Sequence, residues 1–230
     1  MDTQKQQAHK TEIIRVGASI DKHGNTRRAH TRMQKLIDRA KVSGTIVSKR
    51  FDSALAMASE AHAGQVRKGT SIPYISHPVA VASLVSQYGG DEDQAIAGLL
   101  HDVLEDGGPQ WVHPIREQFG PRVLSMVESC TDGVPDATGK KPPWKQRKVA
   151  YLEHLAHASD DALLVSACDK LHNLRSIVLD LGDVGESVFD RFTAGKDGTI
   201  WYYRQLVSVL APRVPAPLGH ALASLLPRLT

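Results

Sequence analysis

The chain has 230 residues, of which 41% are hydrophobic and 23% charged, so it is long enough for one domain with a buried core plus a short extension. No apolar stretch approaches the roughly 18 residues needed to span a membrane, and the N-terminus lacks the charged-then-apolar order of a secretory signal peptide. The two cysteines, Cys130 and Cys168, are too few for a disulfide framework. We therefore expect a cytoplasmic protein with no membrane partner.

The charge is distributed unevenly along the chain. Residues 1–50 carry twelve Lys and Arg but four acidic residues, a net charge of +8, whereas the remainder has a net charge of −5. This basic segment has no aromatic residue that could stack on a base, and no more than two basic residues are adjacent. We predict that residues 1–48 form a flexible, solvated basic extension and that residues 49–230 form the folded domain. No nucleic-acid partner is expected.

Helical periodicity dominates the chain after the basic segment. Strand-like alternation is scarce, and Gly and Pro lie between the periodic segments rather than inside them. We predict helices over residues 51–63, 77–85, 91–106, 122–129, 144–157, 161–180, 199–210 and 218–226. The fold class is therefore an all-α helical bundle.

One segment combines a very apolar run with a concentration of charge. Residues 95–100 are apolar, and His101, Asp102, Glu105 and Asp106 follow within six positions. On a continuous helix these four side chains would share roughly 140° of one face. Three carboxylates on one face repel each other, so the sequence indicates that a positive charge lies among them.

Two residues elsewhere could complete a metal site with His101 and Asp102. His77 lies at the start of a predicted helix, and Asp169 lies in apolar surroundings where an unpaired carboxylate would be costly to bury. Two imidazoles and two carboxylates suit Mn²⁺, Fe²⁺ or Zn²⁺, and such an ion lowers the pKa of bound water toward neutrality. The alternative is structural: His77 caps its helix, and Asp169 pairs with Lys170 or Arg175.

Four linked motifs resemble a known family. Their order His…His-Asp…Asp is that of the HD-domain phosphohydrolases, and over roughly residues 51–205 they closely resemble the hydrolase domain of RelA/SpoT proteins. The motifs are Gln65-Val66-Arg67-Lys68-Gly69, Pro73-Tyr74-Ile75-Ser76-His77-Pro78, Leu99-Leu100-His101-Asp102-Val103-Leu104-Glu105-Asp106 and Asp169-Lys170-Leu171-His172-Asn173-Leu174-Arg175. The segment 191–203 resembles stand-alone small members of this family.

The resemblance implies an HD-domain bundle and an enzymatic activity. The reaction would be the metal-dependent removal of pyrophosphate from the 3′ position of (p)ppGpp, which leaves GDP or GTP, with Mn²⁺ as the cofactor. The roles it implies are Mn²⁺ ligation by His77, His101, Asp102 and Asp169, and orientation and deprotonation of the attacking water by Glu105 and Asp106. For the substrate it implies base packing by Arg67 and Lys68 and a ribose contact by Asn173. Because the substrate is highly anionic, we add Arg147 and Lys196 as candidate phosphate ligands.

Two other functions remain open at this point. An HD phosphohydrolase of another nucleotide, such as (p)ppApp or a nucleoside triphosphate, would keep the metal site and change the base pocket. A non-catalytic alarmone-binding module would need no pair of carboxylates beside the metal, so the presence of both Glu105 and Asp106 favours an enzyme.

The charge analysis predicts that the basic extension contributes little to folding or catalysis. We expect deletion of residues 1–45 to leave the melting temperature and the hydrolytic activity nearly unchanged, because this segment lacks a sustained apolar stripe. Thermal unfolding and a product assay on the truncated and full-length proteins check this. A large loss of either quantity would contradict the prediction.

Overall fold

Almost all regular structure in the protein is helical. The computed structural model describes residues 48–132 and 141–229, and these ranges contain no β-strand, although an isolated β-bridge joins Val66 to Pro73. The nine α-helices of the described residues are α1 (Lys49–Ala61), α2 (Ser76–Gln87), α3 (Glu92–Leu100), α4 (Val112–Phe119), α5 (Pro121–Cys130), α6 (Trp144–His157), α7 (Asp160–Val184), α8 (Gly195–Leu210) and α9 (Ala216–Leu225). Short 3₁₀ segments cover Pro109–Trp111, Gly185–Arg191 and Leu226–Leu229. The predicted all-α fold is confirmed.

Polar side chains determine where several helices begin. Ser48 and Ser159 each accept a hydrogen bond from a backbone N–H in the first turn of α1 and α7. At α3, Asp91 accepts from the Gln94 backbone N–H while the Gln94 side chain accepts from the Asp91 N–H. This reciprocal capping box fixes the start of the most buried helix.

Two elements differ from the sequence prediction. Helix α4 was not predicted, because its eight residues bury only Ile115 and Phe119 and the apolar pattern is too short to stand out. The predicted helix over residues 91–106 does not continue to its end as an α-helix. Instead α3 ends at Leu100, and Val103–Gly107 forms a wider π-helical turn. Such turns are rare and occur frequently at functional sites.

The core of the domain is organised around α3. Every residue from Gln94 to Leu100 is buried, and α3 packs against α1, α2, α5 and α7. Gly98 faces α2 so closely that a Cβ atom there would lie 3.1 Å from Ala82 Cα, which is tighter than an ordinary van der Waals contact. This close packing brings the C-terminal end of α3 beside the first turn of α2 and the middle of α7.

The predicted basic extension lies almost wholly in a part of the chain that the structure does not describe. Residues 1–47 lie outside the described residues, so the flexible basic extension and its boundary stay predictions. Within the described part of the chain, no helix is both long and apolar enough to cross a membrane.

The close contact between α2 and α3 predicts that a single methyl group added at Gly98 lowers the stability of the fold. We expect Gly98→Ala to lower the melting temperature by about 2–12 °C, because overpacking costs about 1–3 kcal/mol and the new Cβ meets backbone atoms that cannot rotate away. Gly182→Ala in α7 is the matched control, because nothing lies within 4 Å of a Cβ there. It should leave the melting temperature unchanged or raise it slightly. Equal melting temperatures for the two variants would contradict this account.

Candidate active site

The four predicted metal ligands come together where α2, α3 and α7 meet. His77 lies in the first turn of α2, His101 and Asp102 directly follow α3, and Asp169 lies within α7. The Nε2 atoms of His77 and His101 are 3.2 Å apart. Asp102 Oδ2 lies 2.9 Å from His101 Nε2 and 3.4 Å from His77 Nε2. Asp169 Oδ1 lies 3.1 Å from His77 Nε2 and 3.6 Å from His101 Nε2.

This cluster has a strong preference for positive charge. Burial alone would raise the pKa of Asp102, but the imidazoles of His101 and His77 outweigh burial and hold that pKa well below its usual range. Burial likewise opposes charge on Asp169, and Lys170 and the same imidazoles lower its pKa. In return the two carboxylates raise the pKa of His101 in spite of its complete burial. The field that attracts protons here would also stabilise a divalent cation.

The Nδ1 atoms of both histidines bond away from the cluster, so the Nε2 atoms face it, and a bound metal ion would take the place of a proton there. His101 Nδ1 donates to the Gly98 carbonyl at 2.8 Å, so its proton lies on Nδ1. His77 Nδ1 lies 2.7 Å from His172 Nδ1. Burial, followed by the charges of His77 and Arg67, lowers the pKa of His172 to about 4, so His172 is neutral and can accept the proton of His77 Nδ1. Metal-binding histidines are commonly oriented by such a bond through the second ring nitrogen.

The donor set fits a divalent transition metal. Ligand bonds of about 2.1 Å place two ligand atoms about 3.0–3.4 Å apart, depending on the coordination angle. The nitrogen–nitrogen and nitrogen–oxygen separations in the cluster, 2.9–3.6 Å, include this range and extend slightly beyond it at both ends. One nitrogen each of His77 and His101 and one oxygen of Asp169 lie within 4.8 Å of each other. The chain therefore presents a site for a divalent metal.

The π-turn Val103–Gly107 places Glu105 and Asp106 beside this cluster in different environments. Glu105 accepts a hydrogen bond from Lys141 Nζ at 2.8 Å and one from the Asp132 backbone N–H at 3.3 Å. The Asp106 side chain is solvent-accessible, and the surrounding protein followed by the charges of Asp102 and Glu105 raises its pKa. Of the two carboxylates, Asp106 is thus the more exposed.

A cavity of about 540 Å³ runs along α7. None of the four predicted ligands lines it, but Tyr74, Lys170, His172 and Asn173, which contact those ligands, all do. The predicted substrate residues Arg67, Lys68 and Asn173 all line it. Arg67 Nη2 donates to Asn173 Oδ1 at 2.6 Å, and Asn173 Nδ2 donates to Asp169 Oδ1 at 2.6 Å. The Asn173 amide therefore connects Arg67, the predicted base-packing residue, to Asp169, a predicted metal ligand.

The structure does not bring Arg147 and Lys196 to this cavity. Arg147 donates to the carbonyl oxygens of Asp132 and Pro142, at 2.9 and 3.2 Å. Lys196 Nζ donates to Glu186 at 2.6 Å on the outer surface. Neither side chain lines the cavity that holds Arg67 and Asn173. Their role as phosphate ligands was inferred from charge alone, and the structure gives both cations other partners.

Five further residues surround the site without having been assigned a catalytic or binding role from sequence. Tyr74 donates from its hydroxyl to Asp102 Oδ2 at 2.7 Å, and Lys170 Nζ lies 2.6 Å from Asp169 Oδ2. The others are His172, Lys148, which forms an ion pair with Asp132, and Lys141. Tyr74, Lys170 and His172 lie inside the motifs that carry the family resemblance, so proximity to predicted ligands was a usable signal. Lys141 and Lys148 belong to no such motif.

The comparison with known protein families agrees with this geometry. Residues 54–200 match the profile of the family described as HD domain. The chain belongs to the HD domain family. The matched range contains all four predicted ligands and the Glu105–Asp106 pair, and the helical fold predicted from the resemblance is that of the family.

Curated relatives carry one activity in their names. The chain is 41% identical over 123 residues to the guanosine-3′,5′-bis(diphosphate) 3′-pyrophosphohydrolase MESH1 of Xenopus tropicalis, and the match covers 52% of this chain and 65% of the relative. It is 37% identical over 127 residues to the enzyme of the same activity from Haemophilus influenzae, covering 53% of this chain and 18% of that protein. The matches thus span less than two thirds of the length of these curated relatives.

A solved structure has the same fold. It is described as a metazoan ortholog of SpoT that hydrolyses ppGpp, and it aligns with a TM-score of 0.64 and 28% identity. The alignment covers 79% of this chain and 96% of the other. The predicted resemblance to RelA/SpoT hydrolases is confirmed by these relatives.

The hydrogen bonds around the cluster predict graded effects on metal affinity. We expect His101→Ala to abolish tight Mn²⁺ binding, because it removes a ligand, and His172→Ala to weaken binding about 10–100-fold, because His77 loses the group that orients it. His157→Ala on the exposed face of α6 is the control and should bind like the parent. Calorimetric titration of the metal-free proteins with Mn²⁺ measures the three affinities. Parental affinity in His101→Ala would remove this residue from the ligand set.

Proposed function

We propose that the protein hydrolyses the 3′-pyrophosphate of (p)ppGpp and releases pyrophosphate together with GDP or GTP. The observation that carries this proposal is the position of Glu105 and Asp106 beside a buried cluster of two histidines and two aspartates. Asn173, which contacts Asp169 of that cluster, lines a cavity together with Arg67 and Lys68. The activity named for the relatives supports the same reaction. The buried free thiols of Cys130 and Cys168 are consistent with a cytoplasmic location.

We assign His77, His101, Asp102 and Asp169 as the metal ligands and Mn²⁺ as the ion. When bound, a divalent ion supplies Lewis acidity and makes a water deprotonate near neutral pH. Tyr74 keeps Asp102 in position, because its hydroxyl donates to Oδ2 and its raised pKa keeps that proton in place. Lys170 and Asn173 occupy the oxygens of Asp169 in the same way.

Asp106 and Glu105 have different roles in this proposal. Asp106 accepts the proton of the attacking water, because it is accessible and its pKa is raised above its usual value. Glu105 orients the water and the turn, because Lys141 and the Asp132 N–H hold its carboxylate. The water oxygen bonds to the phosphorus nearest the ribose, the bond from that phosphorus to O3′ breaks, and O3′ takes a proton as pyrophosphate leaves.

The substrate is anionic, and the cavity provides cations to match. Lys148, Lys170, Arg67 and Lys68 line it together with the aromatic rings of Trp144 and Tyr202. Arg67 presents a planar guanidinium that can stack on a base, while the lysines provide localised charge for phosphate. We propose Arg67, Lys68 and Asn173 as nucleoside contacts. Lys148 and Lys170 replace Arg147 and Lys196 as our first candidates for the phosphates.

The assignment of the two carboxylates predicts a separation of chemistry from binding. We expect Glu105→Gln with Asp106→Asn to lower turnover of ppGpp by a factor on the order of 10²–10⁴, the usual scale for loss of a general base, while nucleotide and Mn²⁺ still bind. Asp106→Asn alone should cause most of the loss. A product assay with Mn²⁺ and calorimetry with the same nucleotide measure the two quantities.

Glu153→Gln, on the exposed face of α6, is the matched control and should retain parental turnover. The parent protein is assayed with ppGpp, ppApp, GTP and dGTP. Preferential hydrolysis of ppApp or GTP would assign a different nucleotide, and binding of ppGpp without any product would indicate a non-catalytic module. Turnover by the double variant within a few-fold of the parent would remove both carboxylates from the mechanism.

A further inference from the structure

The end of the cavity far from the metal ligands contains an ion pair. Arg191, at the end of the 3₁₀ segment that follows α7, donates from Nη1 to Asp180 Oδ2. Both residues line the cavity, and their side chains are 21% and 35% exposed. The pair is thus a partly buried feature of the cavity wall rather than an ion pair on the open surface.

Asp180 lies in line with the proposed metal ligand on the same helix. Asp169, Asn173, Ser176 and Asp180 follow one another at spacings of four, three and four residues, so they share one face of α7. The eleven residues from Asp169 to Asp180 correspond to about 16 Å along the helix. A nucleotide whose 3′ group is held at the metal end would therefore extend its base past Asn173 toward Asp180.

The wall around the ion pair suits a flat ring. Ile72 and Leu179, the residue before Asp180, line the same cavity and are 52% and 67% exposed. Ile177, one turn after Asn173 on α7, also lines the cavity and is buried. Apolar walls with a small number of polar groups that fix orientation are typical of small-molecule sites. A purine ring would cover the exposed apolar surface.

The chemistry of the pair distinguishes between purines. A carboxylate only accepts hydrogen bonds. Guanine offers two adjacent donors, N1–H and N2–H, whereas the corresponding edge of adenine offers one donor and one acceptor. Arg191 Nη1 donates to Asp180 Oδ2, whereas the other carboxylate oxygen, Oδ1, accepts no hydrogen bond from Arg191. We propose that Asp180, held by Arg191, contacts the Watson–Crick edge of the base and selects guanine nucleotides over adenine nucleotides. This inference rests on the proposed function, because it takes the metal end as the position of the 3′ group.

The same ion pair connects base selection to base packing. Gly69 has a φ of +74°, and a Cβ there would lie 2.6 Å from Arg191 Cδ, so the loop that carries Arg67 and Lys68 packs directly on the Arg191 side chain. Arg191 therefore contacts Asp180, which we propose binds the edge of the base. It also contacts the loop of Arg67 and Lys68, which we propose packs on the face of the base.

Nucleotide binding without catalysis tests the proposal. Metal-free protein in EDTA is titrated calorimetrically with GDP and with ADP. We expect the parent to prefer GDP by tenfold or more and Asp180→Asn to lose most of this preference, since an amide offers a donor as well as an acceptor. Asp183→Asn, three residues further along α7 and exposed, is the control and should keep the parental preference. Hydrolysis of ppGpp and ppApp with Mn²⁺ should show the same change in the ratio of kcat/KM.

A second variant keeps the test decisive if Asp180→Asn does not fold. Asp180→Glu retains an acceptor-only group, so it should bind more weakly yet still prefer GDP. Equal affinity of the parent for GDP and ADP, or an unchanged preference in Asp180→Asn, would overturn the proposal, as would a preference for ADP in Asp180→Glu. Failure of the proposed function is a different result. In that case no alarmone is hydrolysed, while the preference for GDP and its dependence on Asp180 are still observed.

Discussion

Two carboxylates share one pair of imidazoles at the centre of this protein, and the rest of the site is arranged around the charge they bring. Asp169 is almost fully buried and Asp102 largely so. A buried carboxylate is stable only with partners that supply positive charge or hydrogen-bond donors. Around Asp102 and Asp169 these partners are His77, His101 and Lys170, together with the hydroxyl of Tyr74 and the amide of Asn173.

The fold meets this requirement by close packing of small residues. Gly98 allows α3 to approach the backbone of α2 at Ala82, so the residues that follow α3 reach the first turn of α2. Helix α7 runs past both helix ends and contributes one carboxylate from its middle and the cavity wall from its later turns. Packing and chemistry therefore depend on the same contact, and a loss of close approach at Gly98 would also disturb the imidazole pair.

The sequence predicts part of this arrangement well. The apolar run 95–100 predicts a buried helix, and the charges after it predict a cluster with a positive centre. Both follow from local patterns. Other features depend on which direction a side chain faces in three dimensions. Arg147 and Lys148 are neighbours on α6, but only Lys148 lines the cavity, and the sequence does not show which of the two faces it. Helix α4 was missed because tertiary contacts of two residues stabilise it, not a long amphipathic pattern.

The π-turn Val103–Gly107 limits how the chain can vary in length at this point. The π-helical segment accommodates more residues per turn than an α-helix, and the Asp106 N–H donates to the Asp102 carbonyl at 2.9 Å where the segment begins. The turn therefore holds the backbone of Asp106 against a residue that carries a predicted ligand. Deletion of one residue from this turn would favour regular α-helix and rotate the following side chains by about 100°. Asp106 would then leave the metal cluster although every functional residue was still present. Related chains that retain this chemistry should therefore tolerate substitutions in the turn more readily than insertions or deletions.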